Sequence, residues 1–245
     1  MVLGFASFAL FSSHCKKKNV AWNTEPSSLL DAGALDASLP DGAALLDGGH
    51  PTKVDMKDVA MGTSVTFIAF TNEKVDEAKA RELFTQALGE IKRLEGLLSE
   101  WKDDSDVGRL NKAEGEWTEV SPETLEVIEK GVLAGRQSDG TFDITFQVMS
   151  DLWKFGDARD SNPTVPKKDA VQAKKKHVDY RKVEIDGQKV RLAKGQKMGL
   201  GGIAKGYIVD KAARILKDGG LTSFLVQAGG DLYGAGKKPD GSAWV

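Results

Sequence analysis

MGLGGIAKGYIVD, residues 198–210, is the stretch on which the reading of the fold turns. Gly199, Gly201 and Ala204 fit G-x-G-x-x-A, a form of the dinucleotide fingerprint. Gly199 to Lys205 nearly fit the phosphate-binding loop G-x-x-x-x-G-K-[ST]. The loop reading fails on chemistry. Ala204 stands at its second glycine, and Gly206 stands where a hydroxyl must reach a metal. The fingerprint reading fails on context. It must open a βαβ unit with further units behind it, and the upstream chain has no such rhythm. What survives is a helix start preceded by glycines. Its free N–H groups and positive end suit an anion. Close strand–helix packing would ask for the same glycines, and the two readings stay open at this point.

Working outward, TSVTFIAF (63–70) is β-branched and aromatic and reads as a strand. From Asp76 to Trp101, apolar residues recur at Phe84, Ala87, Leu88, Ile91, Leu94, Leu97 and Leu98, the period of a long amphipathic helix. Ser121-Pro122 has the form of a cap and first helical position, and Leu125, Ile128 and Val132 give that helix its stripe. Asp139-Gly140 ends it. VEIDGQKVRL (183–192) is a hairpin about Asp186-Gly187. A helix from about Ala204 to Lys217 follows, then the buried-type strand TSFLVQ and a glycine-rich turn AGGDLYGAG. Hairpins and helices without regular βαβ alternation predict an α+β fold with mixed, antiparallel-rich sheets and packed helices.

A chain of 245 residues, 40% hydrophobic, can bury one sizeable core. A net charge of −2 gives no global field toward nucleic acid or anionic lipid, so no nucleic-acid partner is expected. The clusters Lys16–Lys18 and Lys174–Lys176 read as solvated faces. One cysteine excludes a disulfide within the chain and any multi-thiolate metal site. His14, His50 and His177 show no ligand spacing, so a bound metal would take oxygen ligands and be a hard cation.

The N-terminus divides the chain. Val2 to Phe11 is an apolar run too short to span a bilayer, and it leads through FSSHC to Cys15. Residues 1–15 are expected to be a lipoprotein-type export segment, lipidated at Cys15. Residues 16–58 are rich in Ala, Gly, Asp and Ser and read as a disordered, low-complexity tether. The folded domain is expected from residue 59 to 245.

Four segments carry a resemblance: MGTSV from Met61, LLSEWKDDSDVGRLN (97–111), SDGTFDITFQVMSDLWKFG (138–156) and GGIAKGYIVDKAARILKDGGLTSFLVQAGGDLYGAG (201–236). In this order they resemble the ApbE family, the FAD:protein FMN transferases. The resemblance implies a T-fold-like α+β domain. It implies a Mg²⁺-dependent reaction that takes FAD as substrate, moves FMN onto a threonine of a target flavoprotein and releases AMP. It also implies an exported lipoprotein at the periplasmic face of a bacterial membrane, with a membrane-associated flavoprotein as partner. Met61, Trp101, Thr141, Phe142, Asp143, Lys205 and Tyr207 fall at flavin-binding positions. Trp101 would stack on the flavin. The Ala204 carbonyl would be a Mg²⁺ ligand. Asp143 is the one candidate for the proton acceptor, although an Asx-turn role suits it as well. Asp231 stays open between structure and site. The family pattern continues past DGSAWV with residues that complete the metal site, so a C-terminally incomplete domain is expected. An FAD pyrophosphatase giving FMN and AMP, and a non-catalytic flavin-binding lipoprotein, are the alternatives.

Overall fold

A computed structural model describes residues 50–153 and 165–244. The expected export segment, Cys15, His14, the Lys16–Lys18 cluster and most of the expected tether lie outside the described residues.

Two strands open the fold, β1 (Lys53–Ala60) and β2 (Thr63–Phe70), paired antiparallel from Lys53 opposite Phe70 to Ala60 opposite Thr63. β1 thus starts at Lys53, ahead of the expected domain boundary at residue 59. In β1 only Val54 and Ala60 are buried, while Lys53, Asp55 and Lys57 face solvent. An edge strand with charges on its open face has the composition of a linker, which hides it in the sequence.

β2 is the opposite case. Val65, Phe67 and Ala69 are fully buried and alternate with partly exposed residues. They face α1 (Glu77–Leu98), whose buried stripe runs from Ala80 through Phe84, Leu88 and Ile91 to Leu98. The rings of Phe67 and Phe84 stack with centroids 5.4 Å apart. Asp76 caps this helix, accepting from the Lys79 N–H at 2.8 Å. Asn72 donates to the Gly220 carbonyl at 2.9 Å.

Beyond α1 come α2 (Asp106–Lys112), the short strand β3 (Thr118–Glu119) and α3 (Pro122–Gln137). Ser121 caps α3 with Pro122 in its first turn, as expected, and Asp139 and Gly140 take left-handed φ of 53° and 77° after its end. α4 (Lys168–Lys175) buries nothing, which explains why no apolar period marks it. The hairpin β4 (Glu184–Asp186) and β5 (Lys189–Arg191) turns at Gly187, φ 56°, and joins β3 in a three-stranded sheet of order β3-β5-β4.

The chain then forms α5 (Ala204–Asp218) and returns as β6 (Phe224–Ala228) and β7 (Asp231–Ala235). AGGDLYGAG is thus not all turn. Gly229-Gly230 make the turn, and Asp231 opens a strand in which Tyr233 stacks on Phe224 at 6.1 Å. The larger sheet has order β1-β2-β6-β7, every pair antiparallel. α1 and α5 pack together against it, and their buried residues form one core with β2 and β6. The fold is α+β. Trp244 is not in a strand. Its ring lies 5.9 Å from Phe70, and its indole N–H donates to the Ala235 carbonyl at 2.8 Å.

Candidate functional site

Three segments far apart in the chain meet at one cleft. The first is the two-residue turn Met61-Gly62 between β1 and β2. Both residues are left-handed, with φ of 53° and 66°. Gly62 accepts this freely, whereas methionine rarely does. The Met61 N–H donates to Glu95 Oε2 of α1 at 2.9 Å.

The second segment is the end of α1. Ser99 leaves the helix in an extended conformation, and the Trp101 N–H donates to Ser99 Oγ at 3.2 Å. Ser105 ties this loop down. Its hydroxyl donates to the carbonyls of Ser99 and Lys102 at 2.6 and 2.8 Å and caps α2 by accepting from Gly108 N–H at 2.8 Å. Trp101 itself is 80% exposed, so packing is not what holds an indole here.

The third segment is the glycine turn. Gly199 N–H donates to the Ile144 carbonyl at 2.9 Å. Asn111 grips the preceding residue from both sides, donating to the Met198 carbonyl at 2.8 Å and accepting from Met198 N–H at 2.6 Å. The Leu200 carbonyl then accepts from both Ile203 and Ala204, and α5 begins with no side-chain cap. The close-packing reading holds at two of the glycines. A Cβ at Gly199 would stand 2.9 Å from Gln147 Oε1, and one at Gly202 would stand 3.0 Å from the Phe142 ring, so these two serve close packing. Gly201 is exposed and lines the cleft.

The cleft encloses about 360 Å³ and is lined by Met61, Gly62, Glu95, Trp101, Lys102, Gly201, Ala204, Lys205 and Ile208 among others. Its floor is apolar, one wall is an open aromatic face, and one end is an uncapped helix start beside Lys205. Among the described residues Lys205 makes no ion pair. A planar aromatic ligand carrying an anionic group has matching chemistry for each of these.

Met61, Trp101, Ala204 and Lys205 are thus brought together as expected. Phe142 sits against Gly202 at the edge of the glycine turn, with Thr141 exposed beside it. Two of the expected residues lie outside this cleft's lining. Asp143 does not line this cleft. Its Oδ1 accepts from the Thr145 N–H and hydroxyl at 2.8 and 2.6 Å, and its Oδ2 accepts from Tyr180 N–H at 2.9 Å. It ties a loop, and faces a separate depression of about 240 Å³ beside Asp179, Tyr180 and Arg181. Tyr207 also points elsewhere. Its hydroxyl donates to Glu126 Oε2 of α3 at 2.6 Å, and the Lys211 ammonium lies 4.7 Å from its ring centroid. Burial, then the Glu126 carboxylate, push the phenol above its ordinary range. Asp231 begins an edge strand and is not among the residues lining the cleft.

Sequence reasoning missed Glu95, Lys102, Asn111 and Ile208. Asn111 ends the quoted GRLN and was visible as a motif residue. Glu95 carried no signal, because its partner is a backbone N–H on another element. The residues present do not by themselves fit Mg²⁺. The Ala204 carbonyl is one oxygen, and no group of three acidic, histidine or cysteine side chains suited to a metal occurs among the described residues.

The loop before α2 depends on Gly108. A Cβ there would stand 2.0 Å from the Lys102 carbonyl oxygen, a clash with backbone rather than with a movable side chain. Gly108→Ala is expected to cost about 1–3 kcal/mol and to displace the segment bearing Trp101. Chemical denaturation measures the first effect, and Trp101 fluorescence anisotropy the second.

Comparison with known proteins places these features. A model described as the ApbE family matches residues 61–245. The FAD:protein FMN transferase of Klebsiella pneumoniae (strain 342) is 28% identical over 222 residues, 87% of this chain and 59% of that protein. The apo crystal structure of the Pseudomonas stutzeri flavinyl transferase ApbE superposes with a TM-score of 0.72 at 27% identity, covering 80% of this chain and 65% of that one. The ApbE protein of Thermotoga maritima gives 0.68 at 31% identity, covering 76% and 60%. The chain spans between about two-fifths and three-fifths of the length of the curated relatives it matches.

Proposed function

The chain belongs to the ApbE family, and on that premise we propose that its cleft takes FAD and serves the transfer of FMN to a threonine of a target flavoprotein. The observation that carries this is the meeting of Met61, Trp101 and the Gly201–Lys205 helix start around one cleft. The isoalloxazine ring stacks on the open face of Trp101. The diphosphate lies toward the uncapped start of α5 and Lys205, where N–H groups and a cation offset its charge.

In the reaction, the threonine oxygen attacks the phosphorus on the FMN side of the FAD diphosphate. The bond from that phosphorus to the bridging oxygen breaks, and AMP leaves with that oxygen. The hydroxyl proton passes to an acceptor; Asp143 is the candidate the resemblance offers, and its carboxylate already accepts from Thr145 and Tyr180. Phosphoryl transfer of this kind rests on positioning and charge stabilisation more than on covalent help from side chains. The family's Mg²⁺ would neutralise phosphate charge. By the resemblance the Ala204 carbonyl would be one of its ligands, no group of three metal-suited side chains stands beside it among the described residues, and flavin binding by the cleft stands without it.

The test is incubation with FAD, Mg²⁺ and a flavoprotein carrying an acceptor threonine. Flavin fluorescence that stays with the denatured target supports transfer. Free FMN and AMP without labelling would show an FAD pyrophosphatase, with water in place of threonine. Intact FAD bound without turnover would show a flavin-binding protein, and no flavin binding at all would remove the proposal.

The same reading gives an exported lipoprotein, held at the periplasmic face of a bacterial membrane through Cys15. No helix among the described residues is long and apolar enough to cross a membrane. Cys15→Ser is expected to move the protein from the membrane fraction to the soluble fraction. Equal membrane retention of the variant would refute the anchor.

A further inference from the structure

We propose that Glu95 is the positioning residue of the cleft: its carboxylate holds the Met61-Gly62 turn in its left-handed form and fixes that turn relative to Trp101. The proposal rests on the cleft being the flavin site, and adds how its two walls are kept in register.

The turn has φ of 53° at Met61 and 66° at Gly62. Two left-handed residues between paired strands make the tight hairpin form that favours Asn-Gly. Methionine at the first position is poorly suited to it, because an L side chain crowds its own backbone there. Something outside the hairpin must favour this conformation, and the Glu95 Oε2 acceptor, 2.9 Å from the Met61 nitrogen across 34 residues of chain, does so. Its other oxygen faces the Lys102 ammonium at 3.8 Å. Meanwhile the Glu95 carbonyl accepts from the Ser99 N–H at 3.2 Å, at the residue whose hydroxyl holds Trp101. One residue therefore touches the hairpin tip with its side chain and the Trp101 segment with its backbone and through Lys102. The side chain is about one-quarter exposed, and it lines the cleft.

A carboxylate in that place could instead act on the reactants directly, and the glutamine variant separates the two roles. Glutamine keeps an oxygen acceptor for the Met61 N–H but cannot take up a proton. Glu95→Ala is expected to raise the Kd for FAD about fivefold, the loss of one charge-assisted hydrogen bond. Glu95→Gln is expected to restore it to within about twofold of the parent, with the pH profile of turnover unmoved. In a Met61→Gly background, where the turn forms without help, adding Glu95→Ala is expected to change Kd by less than about twofold. Amide hydrogen exchange at Met61 without flavin reads the clamp alone, and Glu95→Ala is expected to speed it about fivefold. Thermal melts confirm that each variant is folded.

Met61 exchange and FAD affinity both unchanged in Glu95→Ala would overturn the proposal. So would Glu95→Gln behaving like Glu95→Ala with a shifted pH profile, which would make the carboxylate a direct participant. If the parent protein binds no FAD, the function proposed above fails, while faster Met61 exchange in Glu95→Ala still supports the clamp.

Discussion

Trp101→Ala is expected to raise the Kd for FAD by about tenfold or more while leaving the melting temperature where it was. Stacking of a planar heterocycle on an aromatic side chain is worth about 1–3 kcal/mol, which sets the affinity change. The indole is 80% exposed, so its removal opens no cavity in the core. Exposed substitutions of this kind stay within about 0.5 kcal/mol of the parent. Trp101→Phe should keep most of the affinity, because the ring face remains. Quenching of flavin fluorescence on titration measures both. An unchanged Kd in Trp101→Ala would mean that the flavin lies elsewhere.

The largest stability loss is expected for Asp106→Ala. This side chain is only 7% exposed. Its Oδ2 accepts from the Ser121 N–H at 2.8 Å, the Ser121 hydroxyl at 2.6 Å and the Thr124 hydroxyl at 2.7 Å, while Oδ1 pairs with Arg109. It thereby joins the first turn of α2 to the cap of α3. Truncation leaves several buried donors without partners and should cost about 3 kcal/mol, or roughly 6–12 °C in Tm for a domain of this size. Burial pushes the carboxyl up, but the hydrogen bonds from Ser121, Thr124 and Arg109 outweigh it and hold the group below its ordinary value. The sign of the pH effect follows. The unfolded chain takes up the proton first on acidification, so this contribution is complete above about pH 4 and fades as pH falls through the lower folded value. In Asp106→Asn the acid limb of the stability curve should be shallower. Urea melts between neutral pH and about pH 3 would show whether it is.

What the sequence discloses of this fold follows burial. α1, α3, α5, β2 and β6 each put an apolar stripe into the common core, and their patterns are plain. α4 and β1 carry mostly solvated side chains, so no periodicity announces them. α2 is seven residues long, too short for a period to show. β7 is interrupted by Gly234 and looks like turn until Tyr233 is seen against Phe224. In the site, Met61, Trp101, Ala204 and Lys205 were readable because family-like motifs mark them. Tyr207 was misplaced by reading neighbours in sequence as neighbours in space. Two residues along a helix turn the side chain by about 200°, which sends Tyr207 to Glu126 while Lys205 faces the cleft. Asp143 was undecidable from its own segment, because its partner Tyr180 lies 37 residues away on another loop. Glu95 acts through a backbone group on another hairpin, which no local pattern encodes.

The pairing of β2 with β6 sets Val65 opposite Ala228 and Phe67 opposite Val226, with most of the described chain between the partners. The centre of the larger sheet therefore closes late. During synthesis the β1–β2 hairpin emerges well before β6, with one side of β2 unpaired and Val65, Phe67 and Ala69 uncovered. Such a chain has high contact order and folds slowly, and its open strand can recruit a second copy before β6 arrives. The yield of folded protein should then depend on how long that strand waits, and a factor that shields apolar strands should raise the yield more than any change at the cleft.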